Sequence, residues 1–249
     1  NTSFANYREA IKQKTKETNG VLPYDLRLKS LNDFIQTVIS SLIEDEPFNW
    51  LICEGSSEKI YFDYYFKEEI NNLKLRIIPV GGANEIKRIY EHLSVSIDEF
   101  KKQINGKIAF ISDTDADLVD YETKNFNKIL IKRIVNQNDE TKLVGIDSNP
   151  KSPKTEIEDC LNGKIFHKTL LHFVKDNEEL LDFVSEDEKS EIPSYFAMNL
   201  NLTNNEKLTS FFDNENNKFE FAKKYIEISN TEDYKTPNWI IELKDFFKN

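Results

Sequence analysis

The chain of 249 residues is long enough for one large domain or for a medium-sized domain with an additional segment. It carries 33 Lys and Arg against 44 Asp and Glu residues, and its formal net charge of −11 argues against a protein that holds nucleic acid by overall attraction. An enzyme that reaches nucleic acid through a metal ion is still compatible with this charge. The 18 Phe and 10 Tyr residues predict a well-filled core, which excludes a chain that is disordered over its whole length.

The cysteine and histidine content limits the metal chemistry. The sequence has two cysteines, Cys53 and Cys160, and three histidines, so it predicts neither a disulfide framework nor a zinc site. Any bound metal must then be held by carboxylates. We expect a soluble cytoplasmic protein, because the N-terminus lacks the pattern of a signal peptide and no apolar run approaches the roughly 18 residues of a membrane span.

The N-terminal part of the chain predicts a helical segment. Residues 7–18 are rich in Lys and Glu, and residues 26–42 place apolar side chains at steps of three and four, as one face of an amphipathic helix requires. Asn19-Gly20 separates the two helices. We place a boundary near residue 47 and interpret residues 1–47 as a linker or dimerisation segment.

Beyond this boundary, short apolar strands alternate with helices. The predicted elements are, in chain order, strand 50–53, helix 58–66, strand 75–80, helix 83–93, strands 107–112, 128–135 and 142–146, and a helix that begins at Glu156. This alternation predicts an α/β fold in which helices flank a parallel sheet and right-handed crossovers join its strands. We expect residues 48–165 to form this domain and residues 166–249 to form a helical C-terminal region that completes the site.

Carboxylates follow two of the predicted core strands at the point where each strand ends. Glu54 closes the first strand, Gly55 allows a tight turn, and Glu58 lies one helical turn further along. Asp113 and Asp115 follow a later strand in the same way. Because parallel strands end at a common edge of the sheet, we expect these side chains to lie close together. Oxygen ligands of this kind select Mg²⁺ or Mn²⁺.

The order of these features is strand, Glu-Gly-x-x-Glu, helix, strand, Gly-Gly, helix, strand and Asp-x-Asp. This order, over about residues 48–160, resembles the TOPRIM domain, a Rossmann-like catalytic fold of topoisomerases, primases and nucleases. The second acid four residues after Glu54, at Glu58, is similar to the pattern of the OLD (overcoming lysogenization defect) nucleases. OLD proteins usually carry an ABC-type ATPase ahead of this domain, but the chain has no Gly-x-x-x-x-Gly-Lys-Ser/Thr phosphate-binding loop.

The resemblance extends to two later segments. Residues 155–159 are similar to the acidic motif that completes a second metal site in OLD proteins, and residues 218–222 are similar to the segment that supplies their catalytic lysine, which implies Lys218. An alternative interpretation of Lys218 is a solvated position at the start of a helix. The choice between Glu156 and Glu158 stays open, because on an α-helix two such residues point about 200° apart and cannot both face one ion.

The resemblance implies two metal ions with shared ligands and Glu54, Asp113 and Lys218 as catalytic residues. The first ion is expected to be held by Glu54, Glu58 and Asp113. The second is expected to be held by Asp113, Asp115 and the segment with Glu156 and Glu158. Together these residues predict phosphodiester hydrolysis with Mg²⁺ or Mn²⁺ as cofactor.

The function predicted in this way is a metal-dependent DNA endonuclease of the prokaryotic cytoplasm, active in defence against phage. We expect it to be the C-terminal nuclease part of a longer OLD-like protein, or a subunit that works with a separate ABC-type ATPase, and to form a homodimer or a higher oligomer. Four basic residues are predicted to guide DNA to the site, namely Lys124, Lys128, Lys132 and Arg133. The alternatives are an RNA-processing TOPRIM nuclease and a non-catalytic module that binds a partner ATPase.

Overall fold

The computed structural model describes residues 24–115, 118–138, 140–173, Pro193 and 202–249. The helix predicted at residues 7–18 lies outside the described residues.

Five strands form one sheet, and their bounds are β1 (Asn49–Cys53), β2 (Leu75–Pro79), β3 (Ile108–Ser112), β4 (Ile129–Gln137) and β5 (Glu140–Val144). Their order across the sheet is β2-β1-β3-β4-β5. The parallel sheet predicted from the sequence is confirmed for β1 to β4, whereas β5 runs antiparallel to β4. The reason is the connection of two residues, which can close a hairpin but cannot make a parallel crossover. Asn138 in this connection has the left-handed φ of +52° that such turns require.

Helices cover both faces of the sheet. Those within the described residues are α1 (Tyr24–Leu42), α2 (Ser56–Tyr65), α3 (Lys67–Asn72), α4 (Ala83–Phe100), α5 (Gly163–Phe173), α6 (Leu202–Asp213), α7 (Glu215–Ser229) and α8 (Asn238–Lys248). On one face α1 and α4 pack against Trp50 and Ile52 of β1, and on the other α2, α3 and α5 to α8 pack with Leu51 and Cys53. Successive side chains of a strand point to opposite faces, so β1 contributes to both cores. No described helix is long and apolar enough to cross a membrane.

Helix α1 is the amphipathic helix expected at residues 26–42, and it packs against one face of the sheet. Its apolar side packs with α4, and Val38 and Leu42 are fully buried there. The indole Nε1 of Trp50 in β1 donates a hydrogen bond of 2.9 Å to Ser41 Oγ at the end of the helix. The role of residues 1–47 as a linker or dimerisation segment stays a prediction.

Buried hydrogen bonds join the C-terminal helices α7 and α8 to α2 and to residues 160–162. Tyr225 of α7 shares a hydrogen bond of 2.9 Å with Tyr65 of α2, and its hydroxyl accepts a bond of 3.1 Å from the backbone N–H of Asn162. Trp239 of α8 donates from Nε1 to the carbonyl of Cys160 at 2.9 Å. Each of these side chains is buried, so the hydrogen bonds hold α7 and α8 in fixed positions beside the sheet. The domain bounds at residues 165 and 166 stay a prediction.

Candidate active site

Glu54 directly follows β1, and backbone hydrogen bonds fix it to both neighbouring strand ends. Its carbonyl accepts bonds from the N–H groups of Gly81 and Gly82, at 2.6 and 3.2 Å, and these glycines have φ values of +95° and +116°. These glycines form the tight turn between β2 and α4, which positive φ values make possible. The carboxylate Oε1 accepts a bond of 2.9 Å from the N–H of Asp113, which follows β3. The two acidic motifs are therefore adjacent, as expected from the sheet topology.

The environment of Glu54 favours its neutral form. Burial raises the pKa of Glu54 to about 7, with further contributions from the charges of Asp115 and Glu58. The backbone N–H groups of Asp113 and Ala83 act in the opposite direction and lower the pKa. A carboxylate in this setting gains from a cation that offsets its neighbours.

Glu58 lies in the first turn of α2 and turns back toward the end of β1. Its side chain is nearly buried, and Oε2 accepts a hydrogen bond of 3.0 Å from Ser57 Oγ. Gly55 makes this position possible, because a Cβ atom at residue 55 would lie 2.6 Å from Glu58 Oε2. The glycine of the Glu-Gly-x-x-Glu motif thus leaves space for the second acid of the motif.

Replacing Gly55 with Ala should displace the Glu58 carboxylate. The backbone at residue 55 is extended, with a φ of −129°, and the clash involves only the end of a flexible side chain. We therefore expect the free energy of unfolding to change by less than about 1 kcal/mol, while the affinity for Mn²⁺ falls by about 10-fold. Calorimetric titration with Mn²⁺ and thermal unfolding measure the two effects, and unchanged Mn²⁺ binding would contradict this role of Gly55.

Asp113 lies at the centre of the acidic residues. Burial raises the pKa of Asp113 well above its usual range, and four further carboxylates raise it more, those of Glu58, Glu54, Glu156 and Glu158. Asp115 is half-buried two residues further along, where its charge raises the pKa of Glu54. The sequence-predicted ligands at the ends of β1 and β3 therefore share one region of the molecule.

A short backbone bridge joins the Asp113 motif to the later acidic motif. Thr114 and Thr155 pair as an isolated antiparallel bridge, with N–H to carbonyl distances of 2.9 and 2.8 Å in the two directions. Thr114 lies between the two aspartates, and Thr155 directly precedes Glu156. The bridge thus brings the segment of residues 155–159 to the same edge of the sheet.

The α-helix expected at Glu156 is a single 3₁₀ turn, Ile157–Cys160. Glu156 has extended backbone angles and forms a capping box with Asp159, whose Oδ2 accepts the Glu156 N–H at 2.8 Å. The argument that Glu156 and Glu158 point about 200° apart requires an α-helix, so it is wrong for this segment. Both carboxylates approach the same ammonium group, that of Lys218, at 2.7 and 3.8 Å.

Lys218 reaches the acidic residues from the first turns of α7. Its side chain is only 24% exposed, so the interpretation as a solvated helix start does not describe its position. Burial lowers the pKa of Lys218, but the charges of Glu158 and Glu156 outweigh burial and raise it above its usual range. The ammonium group of Lys218 is therefore charged at any pH of interest. Burial also raises the pKa of the fully buried Glu158, to about 7, although Lys218 acts against this.

Lys154 is a residue of this site that the sequence did not single out. Its Nζ lies 2.6 Å from Glu156 Oε1, on the oxygen that Lys218 does not contact. Its position two residues before Glu156 could have indicated this contact, because side chains two residues apart in an extended segment point to the same side.

Arg133 does not belong to the predicted DNA-guiding patch, because it is buried, whereas the role predicted for Lys124, Lys128 and Lys132 stays a prediction. Arg133 is 1% exposed and makes hydrogen bonds inside the protein. Lys124 pairs with Asp98, and Lys128 donates to backbone carbonyls of the loop after α4. The sequence pattern did not indicate the burial of Arg133, because its partners are loop carbonyls rather than acidic side chains.

Arg133 instead stabilises the segment that contains Asp113 through hydrogen bonds. Its guanidinium donates to Thr114 Oγ1 at 2.9 Å and to three loop carbonyls, those of Ile146, Ser148 and Pro150. We expect Arg133→Leu to lower the free energy of unfolding by roughly 3 kcal/mol, since it leaves buried acceptors without donors. Lys132→Leu, at the adjacent half-buried position, should cost less than about 1 kcal/mol. Urea unfolding of both variants measures the difference, and equal losses would contradict the role of Arg133.

The donor chemistry of the site fits a hard divalent cation. Glu54, Asp113 and Glu158 have raised pKa values because burial and mutual repulsion oppose their charges. Oxygen ligands with surplus negative charge are those that Mg²⁺ and Mn²⁺ prefer. Among the described residues, no three Asp, Glu, His or Cys side chains are already arranged as a metal-binding group.

The fold and the acidic edge define a class of protein. A Rossmann-like sheet with Glu-Gly-x-x-Glu after β1, Gly-Gly after β2 and Asp-x-Asp after β3 is consistent with a TOPRIM domain. Residues 49–115 match a family model described as the TOPRIM domain of overcoming lysogenization defect protein-like proteins. Over this stretch the chain is similar to OLD-like TOPRIM domains, which supports the resemblance seen in the sequence and indicates a metal-binding module of the nuclease type.

The matched stretch covers the first two acidic motifs and ends before the remaining site residues. It includes Glu54, Glu58, Asp113 and Asp115 but neither the segment 155–159 nor Lys218. Searches of curated proteins and of solved structures gave no match to the chain.

Proposed function

We propose that this protein is a Mg²⁺- or Mn²⁺-dependent nuclease that hydrolyses phosphodiester bonds of DNA. One observation carries the proposal: carboxylates from three separate segments meet at the C-terminal edge of a parallel sheet, and a half-buried lysine from α7 lies among them. This edge is where ligands and reacting groups bind in open α/β sheets. The OLD-like TOPRIM match at residues 49–115 supports the same class of reaction.

The residues proposed to hold the metal come from all three segments, and they are Glu54, Glu58, Asp113, Asp115 and one of the two acids Glu156 and Glu158. Divalent ions held by these residues would supply an activated water and positive charge for the leaving oxygen of a phosphodiester. The chain itself orients the ligands. The N–H of Asp113 fixes Glu54, and the space left by Gly55 admits Glu58.

Lys218 is proposed to act on the substrate. Its ammonium group is charged, half-buried and fixed by acidic neighbours, so it is oriented before the substrate arrives. A fixed cation of this kind stabilises the negative charge that develops on a phosphate in the transition state. Catalytic roles are therefore proposed for Glu54, Asp113 and Lys218.

The wider setting of the reaction is also a proposal. In the OLD-like family, this domain works with an ATPase and acts on nucleic acid. We propose an ABC-type ATPase domain or subunit as the partner, a homodimer or higher oligomer as the assembly, and defence against phage in the prokaryotic cytoplasm as the role.

The experiment that tests the function is cleavage of supercoiled plasmid and of structured RNA, each with Mg²⁺, Mn²⁺ or EDTA. Nicking of the plasmid that depends on the metal supports the DNA nuclease. Cleavage restricted to RNA would favour the RNA-processing alternative. Binding of either nucleic acid without cutting, in the presence of the partner ATPase as well, would favour the non-catalytic module.

A further inference from the structure

The two glutamates near Lys218 have different surroundings. Glu156 is contacted on both oxygens by lysines, with Lys154 Nζ at 2.6 Å from Oε1 and Lys218 Nζ at 2.7 Å from Oε2. Burial raises the pKa of Glu156, but the charge of Lys218 and the hydrogen bonds of both lysines outweigh burial and lower it. Both oxygens of Glu156 are thus already engaged by lysine side chains.

Glu158 lies deeper and faces other acids. It is 0% exposed, its distance to Lys218 is 3.8 Å, and the charges of Glu58 and Glu156 act on it. A metal ion that offsets repulsion has more to gain beside Glu158 than beside Glu156, where two ammonium groups would oppose its approach.

We propose that Glu156 holds Lys154 and Lys218 in place and that the two ammonium groups form a seat for a phosphate of the nucleic-acid backbone. This inference rests on the proposed nuclease function and deepens it. Each ammonium group has three N–H donors, and the bond to Glu156 uses one of them. Lys154 is 45% exposed, so a backbone phosphate can reach it from solvent.

The arrangement of two lysines around one carboxylate lowers the entropic cost of binding a phosphate. Lysine side chains lose considerable rotamer freedom when they are fixed on a ligand, and Glu156 makes them lose that freedom before binding. The group of Lys154, Lys218 and Glu156 also keeps one net positive charge next to an edge that otherwise repels phosphate.

The first test is binding of a short labelled DNA duplex in Ca²⁺, measured by fluorescence anisotropy at several salt concentrations. Lys154→Gln should weaken binding by about 10-fold and reduce the slope of log affinity against log salt by about one, as expected for one lost phosphate contact. The matched control is Lys151→Gln, an exposed lysine three residues earlier in the same loop, which should bind like the wild type. Equal behaviour of the two variants, or no measurable DNA binding by the wild type, would overturn the seat.

The second test separates the two glutamates by calorimetric titration with Mn²⁺. Glu156→Gln should keep the wild-type affinity for Mn²⁺ within about 3-fold and bind DNA more weakly, whereas Glu158→Gln should lose at least about 10-fold in Mn²⁺ affinity. Loss of Mn²⁺ binding in both variants would overturn the assignment of Glu156. Circular dichroism checks that each variant is folded.

Failure of the nuclease function would be seen separately. A wild-type protein that neither binds Mn²⁺ nor cuts any nucleic acid would contradict the proposed function. The comparison of Lys154→Gln with Lys151→Gln would still decide whether the lysine pair contacts a phosphate backbone.

Discussion

Replacing Asp113 with Ala should lower metal-dependent plasmid cleavage by at least about 100-fold, the loss typical of removing one group that stabilises the transition state. Asp113 is the residue on which four other acids act, so it is the side chain most central to the proposed ion positions. The fold should be retained, because the backbone N–H that binds Glu54 is still present in the variant. Without metal, the melting temperature should stay equal or rise, since a buried carboxylate that its neighbours repel has been removed.

The measurement is the initial rate of plasmid nicking in Mn²⁺, together with thermal unfolding in EDTA. A suitable control is Asp63→Ala, which removes an aspartate of a surface ion pair with Lys59 and should leave the rate unchanged. Cleavage at the wild-type rate by Asp113→Ala would contradict the proposed mechanism.

Without divalent ions, the free energy of unfolding should fall as the pH rises from about 5 to about 8, more steeply in the wild type than in Glu54→Gln. The pKa values of Glu54 and Glu158 are raised to about 7 in the folded state, mainly by burial. The folded protein therefore binds protons more tightly than the unfolded chain, so stability is lost as the pH rises through this window. Each group can contribute up to about 3 kcal/mol, since one pKa unit corresponds to about 1.4 kcal/mol.

The comparison with Glu54→Gln isolates one of these groups. The amide of Gln can still accept the hydrogen bond from the Asp113 N–H, and it has no charge to bury. The stability of the variant relative to the wild type should thus improve with rising pH. Addition of Mn²⁺ at pH 8 should stabilise the wild type through ligand binding to the folded state. A difference that does not depend on pH, with no effect of Mn²⁺, would contradict the electrostatic account of the site. Urea unfolding at several pH values provides the measurement.

The sheet and its first two acidic motifs could be predicted because their signals are local. Apolar runs at residues 50–53 and 107–112 became β1 and β3, and the acids directly after them share an edge by the geometry of parallel strands. The antiparallel direction of β5 was not predicted. The strand itself was visible as an apolar pattern, but its direction depends on the length of the turn, and that follows only from where β4 ends.

The remaining parts of the site depend on contacts between distant segments. The burial of Arg133 comes from carbonyls of the loop that contains Ile146 and Pro150, and no periodic pattern reports such a partner. The 3₁₀ turn after Glu156 is stabilised by Asp159, which the sequence equally allows as the start of an α-helix. The proximity of Lys218 to residues 62 positions earlier was expected only from the resemblance to OLD nucleases.

Because Lys218 lies on α7, a fragment of the chain without α7 lacks the positive charge that faces the acidic residues. A fragment cut after the family match at residue 115, or after α5, would keep Glu54, Glu58, Asp113 and Asp115 but lose the lysine that faces the acidic edge from the C-terminal helices. It would also lose Tyr225, which covers the buried face of α2. Such a fragment would expose apolar surface and concentrate negative charge at one edge, so aggregation and weak binding of nucleic acid are the expected results of trimming the protein to its recognisable domain.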